Sequence, residues 1–195
     1  MKPAIRKQLR AQRRSIGAGA HAHRSALAAK AVARLRTFAS GKRVALYLPF
    51  DREADTADLI SAARARGVRL FVPIICDRRH ARMRFHPLAG KTTPGAFGIA
   101  VPRRISRPVL AQWLNLIVVP LVGVDGDGRR LGMGGGYYDR ALAFRRRRRY
   151  WKGPQVVGLA FDCQRTGLVF AEPWDLRLNS LATESGLQHF REQAP

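Results

Sequence analysis

"RVALYLPFDREADTADLISAARARGVRLFVPII", residues 43–75, runs from a compact apolar stretch through a polar turn and a helical stretch to a second apolar stretch. The first run, residues 43–50, has strand length and no charge after Arg43. "DREAD" follows, and then a short helix is predicted from about Thr56 to Arg66. Gly67 stops it, because glycine accepts the left-handed backbone on which helices end. The second run, residues 68–75, reads as another buried strand. Strand, helix, strand is a βαβ unit, which implies parallel pairing with the helix packed on the sheet.

The same alternation continues outward. "LNLIVVPLVGV" (114–124) is the strongest strand signal in the chain, and it leads through "DGDGRR" into a glycine cluster. A helix is expected from Tyr137 to about Arg147, a strand over "QVVGLAF" (155–161) and a last short strand in "LATES". "ARMRFHPL" (81–88) reads as an edge strand, and "GKTTPGAFGIAVPRRISRP" (90–108) as mostly loop by its Gly and Pro content. Upstream, Pro3 to Arg14 sets Ile5 and Leu9 on one side and Arg6, Arg10 and Arg13 on another, an amphipathic helix with a basic stripe. After the loose "SIGAGAHAH", Leu27, Ala31, Leu35 and Phe38 recur at helical spacing until Gly41. The fold class is therefore α/β, a three-layer α/β/α arrangement with a mostly parallel central sheet.

With 195 residues and 46% hydrophobic content the chain can bury a full core, and one domain is expected. No run of about 18 apolar residues occurs and the first residues are charged, so neither a membrane span nor a signal peptide is predicted, and a cytoplasmic location is expected. Cys76 and Cys163 lie far apart without CxxC or clustered histidines, so they read as reduced, buried small residues. The formal charge of +23 favours anionic partners such as nucleotides, polyanionic metabolites or RNA. Six of the 36 basic residues are Lys and the rest Arg. Coding bias produces the same excess, so charge alone does not choose among them.

"RLGMGGGYYDR", residues 130–140, places four glycines in five positions ahead of two tyrosines, an aspartate and an arginine. A glycine-rich turn between an apolar strand and a helix exposes backbone N–H groups to an anion, and the missing Cβ atoms let oxygens approach. The spacing is neither a Walker loop nor GxGxxG, and an ordinary tight turn remains open. Asp139 lies where a carboxylate can hold Mg²⁺, and Arg130 where a guanidinium can grip phosphate. Tyr137 and Tyr138 either flank a ligand ring or form the first buried turn of the helix.

This motif, with "RKQLR" (6–10), "LYLPFDREADT" (46–56), "VGLAFDCQ" (157–164) and "EPWDLRLNSLATES" (172–185), resembles the 5-formyltetrahydrofolate cyclo-ligase family along nearly the whole chain. The resemblance implies one domain over residues 1–195, with basic helices at about 3–39 and an α/β core at about 43–186. It implies ATP- and Mg²⁺-dependent closure of 5-formyltetrahydrofolate to 5,10-methenyltetrahydrofolate through a phosphorylated formyl oxygen, releasing ADP and phosphate. Arg6, Lys7 and Arg10 would contact ATP phosphates, Arg6 standing where the family often has lysine. Arg130, Leu131, Gly132, Met133, Gly134, Gly135, Gly136, Tyr137 and Tyr138 would cradle the nucleotide, with Asp139, Arg130 and Tyr137 as catalytic residues. Leu48, Phe50 and Glu53 would bind the folate together with Met133, Gly134, Gly135, Gly136 and Tyr137, the Glu53 carboxylate facing the pterin's paired N–H donors. Asp139 and Asp175 would be the metal carboxylates.

Each assignment has a plainer alternative. The early arginines read equally as a solvated helix face, Glu53 and Asp55 as charges before a helix, and Asp175 as the cap of a turn. The family often has an acidic residue before proline after "FGI", where this chain has Ala100, Val101 and Pro102, so that segment is assigned no substrate role. "RRRRR" (145–149) reads as a solvated surface run, and His80, His86 and His189 as structural or exposed. The expected partners are small molecules, without membrane, with nucleic acid not expected, and with the chain a monomer or weak homo-oligomer. The competing readings are a basic RNA-binding protein, which lacks an RRM, KH or zinc-knuckle signature, and a catalytically inactive relative.

Overall fold

The computed structural model describes residues 2–90, 92–95, 100–103, 106–147, 153–167, 169, 172 and 174–191. Its helices and strands are, in chain order, α1 (Lys2–Arg14), α2 (Ala18–Ala33), β1 (Arg43–Ala45), α3 (Ala57–Ala65), β2 (Arg69–Asp77), β3 (Arg82–Pro87), β4 (Thr92–Pro94) and β5 (Ala100–Pro102). Then come β6 (Leu116–Val119), β7 (Gly123–Val124), β8 (Arg130–Leu131), α4 (Tyr137–Ala141), β9 (Gln155–Leu159), β10 (Ser180–Thr183) and β11 (Gly186–His189). Among the described residues, no helix is long and apolar enough to cross a membrane.

The main sheet has seven strands in the order β11-β10-β9-β6-β1-β2-β3. Pairing is parallel from β10 through β2, while β3 and β11 close the edges antiparallel. Alternation divides the apolar residues between two faces. Val44, Leu116, Val118, Val157 and Leu159 pack under α2 and α3. Ala45, Ile117, Val119 and Val156 face Leu142 and the α4 side. This is the expected three-layer α/β/α arrangement. The chain runs from β1 outward to β2 and later returns to β6 on the other side of β1. That reversal opens a crevice beyond the carboxyl ends of β1 and β6, where ligands of open α/β sheets bind.

Several expected elements differ in extent, each for a physical reason. Only Arg43–Ala45 of the first apolar run pairs as β1; Leu46 and Tyr47 stay buried as the chain leaves the sheet toward the crevice. The 114–124 run is two strands, because Pro120 lacks the N–H to continue the ladder, and Gly123–Val124 pairs instead with Arg130–Leu131. The 90–108 stretch contains an antiparallel hairpin joining Thr92 to Pro102 and Pro94 to Ala100; residues 91, 96–99 and 104–105, "FGI" included, lie outside the described residues. The loose "SIGAGAHAH" is helical from Ala18, and the buried residues of α2 are Ser25, Ala28, Ala29, Ala31 and Val32, so Ala31 is inside as expected while Leu27 is exposed. The helix after Tyr137 stops at Ala141, and Ala143–Arg147 forms a tighter 3-10 turn in which the Arg145 guanidinium donates to Arg177 O and Asn179 Oδ1. Arg145 and Arg146 are therefore tethered rather than freely solvated; Arg148 and Arg149 lie outside the described residues. Strand β11 follows "LATES" as an unforeseen edge. Cys76 is exposed and Cys163 half-buried, both as free thiols, so neither is the buried residue expected.

Candidate active site

The β7–β8 hairpin aims Arg130 at the crevice. Asp125, nearly fully buried, accepts backbone N–H groups from Asp127 and Arg129 on Oδ1 (3.0 and 2.9 Å) and from Val169 on Oδ2 (3.1 Å). One carboxylate thus builds the turn and ties it to the following segment. The chain leaves β8 through the glycine loop and enters α4 at Gly136, whose φ of +67° suits glycine. Because α4 has only five residues, attraction for an anion here comes from side chains rather than from a long helix dipole.

Two cavities meet at this loop. The first, about 500 Å³, is cationic, with Lys2, Arg6, Arg130, Arg140 and Arg146 on its wall beside Leu131, Gly132, Gly134, Gly136, Asp139, Trp174 and Asp175. The second, about 480 Å³, is predominantly apolar and lies at the ends of β1 and β6, between Tyr47, Leu48, Phe50, Pro120, Leu121, Tyr137 and Tyr138, with Glu53 on its rim. Arg130, Gly132 and Gly136 belong to both walls. A Cβ on Gly132 would stand 2.9 Å from the Arg130 guanidinium, so the bare backbone makes room for it.

Arg130 is held on several sides. Nη2 donates to Asp139 Oδ1 at 3.2 Å and Nη1 to Pro120 O at 3.2 Å, and the guanidinium lies 5.5 Å from the Tyr138 ring centroid, close enough for a cation–π contact. Its buried Nε has no hydrogen-bond partner among the described residues. A buried donor without a partner is costly in a folded protein, and such groups gather at functional sites. Asp139 Oδ1 also accepts the Leu176 N–H at 2.9 Å, which brings the 174–176 turn and Asp175 to the same cavity.

Helix α1 lines the cationic cavity with Lys2 and Arg6 and contacts the Asp51 turn beside the apolar one. Arg6 Nε donates to Gly132 O at 2.8 Å, and Lys2 Nζ to Asp175 Oδ2 at 3.1 Å. Arg10, Arg13 and Arg14 all converge on Asp51. Arg13, expected on the solvated stripe, is 1% exposed and donates to backbone carbonyls of Asp51 and Leu121. Lys7 is exposed, and neither Lys7 nor Arg10 lines either cavity.

Burial pushes the Glu53 carboxyl up to about 7, against the N–H it accepts from Phe50 and the attraction of Arg13 and Arg130. Burial also raises the Tyr138 phenol, and the Glu53 charge adds to that shift. Tyr47 is raised in the same way and donates its hydroxyl to Ala54 O at 2.7 Å. The apolar cavity therefore favours neutral forms of its polar groups, and a ligand entering it meets few competing charges.

Among the described residues no three His, Cys, Asp or Glu side chains converge as a metal cage. Asp139 and Asp175 do line one cavity. A Mg²⁺ ion brought by phosphates typically uses one or two carboxylates and keeps waters, so this donor set fits a nucleotide-borne ion rather than a protein-only site.

The geometry brings together Arg6, Leu131, Gly134, Asp139 and Asp175 at the cationic cavity and Leu48, Phe50, Glu53, Met133, Gly135, Tyr137 and Tyr138 at the apolar one. Sequence reasoning missed Lys2, Arg140, Arg146 and Trp174 at the first, and Pro73, Ile75, Met83 and Leu121 at the second. Leu121 was within reach of the rule that sites form at strand ends beside a reversal of strand order. Ile75 and Met83 carry no signal that separates them from core.

Comparison with known proteins shows the family and the fold. The model described as the 5-formyltetrahydrofolate cyclo-ligase family matches residues 1–184. The chain is 36% identical over 146 residues to a 5-formyltetrahydrofolate cyclo-ligase of Escherichia coli, covering 73% of this chain and 78% of that protein. It is 33% identical over 146 residues to one of Haemophilus influenzae, covering 70% and 73%. The solved structure of Aquifex aeolicus 5,10-methenyltetrahydrofolate synthetase superposes with a TM-score of 0.82 at 26% identity, covering all of this chain and 95% of that one. A synthetase structure from Mycoplasma pneumoniae, at 23% identity and a TM-score of 0.73, matches in fold.

Proposed function

The chain belongs to the 5-formyltetrahydrofolate cyclo-ligase family, and from that premise we propose that it is an ATP-dependent ligase that closes 5-formyltetrahydrofolate to 5,10-methenyltetrahydrofolate. The observation that carries this reading is the shared wall of Arg130, Gly132 and Gly136 between a cationic and an apolar cavity. A phosphoryl donor in one and an apolar ring system in the other would meet across it.

The reaction needs such a meeting. A formyl amide oxygen is a poor leaving group; transfer of the γ-phosphoryl group to it, with release of ADP, makes its expulsion feasible. N10 then attacks the activated carbon and gives up its proton, and the C–O bond breaks as phosphate departs with the bonding pair. The protein's task is to position the two ligands and neutralise charge. Lys2, Arg6 and Arg140 supply positive charge on the nucleotide side. Arg130, steadied by Asp139 and Tyr138, presents its guanidinium to the wall that both cavities share. Glu53, poised near neutrality, can accept from the pterin's N–H donors once ionised, while Phe50 and Leu48 flank the ring. Asp139 and Asp175 would hold Mg²⁺ with the phosphates, and the ion would offset charge on the transferring group.

The deciding measurement is the rise of methenyl-folate absorbance with 5-formyltetrahydrofolate in the presence and absence of ATP and Mg²⁺. A rise that needs both is expected, and no rise with purified protein removes the reading. Asp139→Asn, which keeps an acceptor for the Leu176 N–H but removes the charge, is expected to lower turnover by about 100-fold or more while the protein stays folded. Full activity in that variant takes Asp139 out of the reacting site.

A further inference from the structure

The turn between β1 and α3 has an unusual backbone for its sequence. Glu53 N–H donates to Phe50 O at 3.1 Å, and both residues between them, Asp51 and Arg52, have positive φ, +51° and +62°. Positive φ at both central positions is the mark of a type I′ turn, which calls for Asn, Asp or Gly followed by Gly. Arg at the second position does not select it. The restraint comes instead from the N-terminal helices.

Asp51 Oδ2 accepts from Arg10 at 2.9 Å and Arg13 at 3.2 Å, Oδ1 accepts from Arg14 Nε at 2.7 Å, and Asp51 O accepts from Arg13 at 2.7 Å. The Arg52 guanidinium donates to Ile16 O, and His21 Nε2 lies 3.1 Å from Glu53 O. What these bonds hold is the edge of the apolar cavity, since the two flanking residues, Phe50 and Glu53, both line it. The same helix that grips Asp51 places Arg6 on Gly132 O and Lys2 on Asp175.

From this geometry we infer that Asp51 is a positioning residue. Docked on Arg10, Arg13 and Arg14, it keeps the 50–53 turn in its left-handed form and so sets Phe50 and Glu53 against the ligand of the apolar cavity, in the frame that also carries the cationic one. The inference rests on the reading that the formyl-folate occupies the apolar cavity. A mere stabilising ion-pair cluster would lower thermal stability without singling out one substrate.

Three variants separate these outcomes. Asp51→Asn removes the charge that three guanidiniums share. Asp51→Asn combined with Arg52→Gly installs the Asn-Gly pair that favours a type I′ turn by itself, so it restores the turn without the docking. Val32→Ala, on the buried face of α2, is a control for loss of stability. The single Asp51 change is expected to raise KM for 5-formyltetrahydrofolate roughly ten-fold with KM for ATP within about two-fold of the unaltered protein. The double change is expected to recover most of the loss. Hydrogen exchange at the Glu53 amide, measured without any substrate, is expected to quicken in the single variant and slow again in the double. An unchanged KM and unchanged exchange in Asp51→Asn overturns the inference, as does a fall in all kinetic constants matching that of Val32→Ala. If the unaltered protein neither binds nor converts 5-formyltetrahydrofolate, the functional reading fails by itself, and the exchange data still decide whether Asp51 sets the turn.

Discussion

Glu53 holds its proton into the neutral range because the apolar cavity disfavours its charge more than Arg13 and Arg130 support it. Its carboxyl stands at about 7 in the folded protein against 4.5 for an unperturbed group. The unfolded chain gives up this proton first, so the site's contribution to stability falls as pH rises from 4.5 to 7. Glu53→Gln is expected to remove that fall, gaining up to ~2 kcal/mol on the unaltered protein between pH 5 and pH 8 after allowance for solvent screening. Denaturant titrations at the two pH values check this. At this scale sequence reading reached Glu53, Leu48, Phe50 and the glycine loop through their motifs. It placed Arg6, Arg10 and Arg13 on one helix stripe and gave Arg6 and Arg10 the same phosphate-binding role. What distinguishes them lies far along the chain: Gly132 O for Arg6, Asp51 for Arg10, and the Leu121 and Asp51 carbonyls for Arg13.

The glycine loop shows how one element divides labour between backbone and space. At Gly136, φ is +67° and an added methyl would meet the far end of Arg140, which can swing aside, so Gly136→Ala is expected to cost about 1–2 kcal/mol of stability through the backbone. At Gly132 no positive φ is involved, but an added methyl would press on the Arg130 guanidinium at 2.9 Å. Gly132→Ala is thus expected to lower turnover by roughly ten-fold or more with a smaller loss of stability. Thermal midpoints and initial rates on the pair test this contrast. The βαβ unit was legible in the sequence because each strand lies in a predominantly apolar run and Gly67 ends the helix between them. It was less informative where tertiary context decides. Pro120 looks like a residue within a long strand until the ladder it interrupts is seen, and α2, rich in alanine, buries a different stripe from the one its larger residues trace.

As a whole, the molecule puts two cavities on one side of a doubly wound sheet and gives them a common wall. Ligands that occupy the cavities and shun the unfolded chain stabilise it by mass action. ATP with Mg²⁺, or 5-formyltetrahydrofolate, each at 100 times its dissociation constant, is expected to add about 2.7 kcal/mol, or ~5–10 °C in thermal midpoint for a chain of this size. Differential scanning calorimetry with each ligand measures it. The three-layer plan followed from alternating strands and helices, and the edge strand β3 from its own short run, whereas β11 and the small hairpins depend on pairings too short to leave a pattern. One feature bears on how the protein is made. Lys2 and Arg6 lie at the start of α1, but their partners are Asp175 and Gly132, 173 and 126 residues downstream. During synthesis α1 can take hold of Asp51 early through Arg10, Arg13 and Arg14, but Lys2 and Arg6 have nothing to grip until most of the chain has followed, so the wall of the cationic cavity is among the last parts of the molecule to take shape.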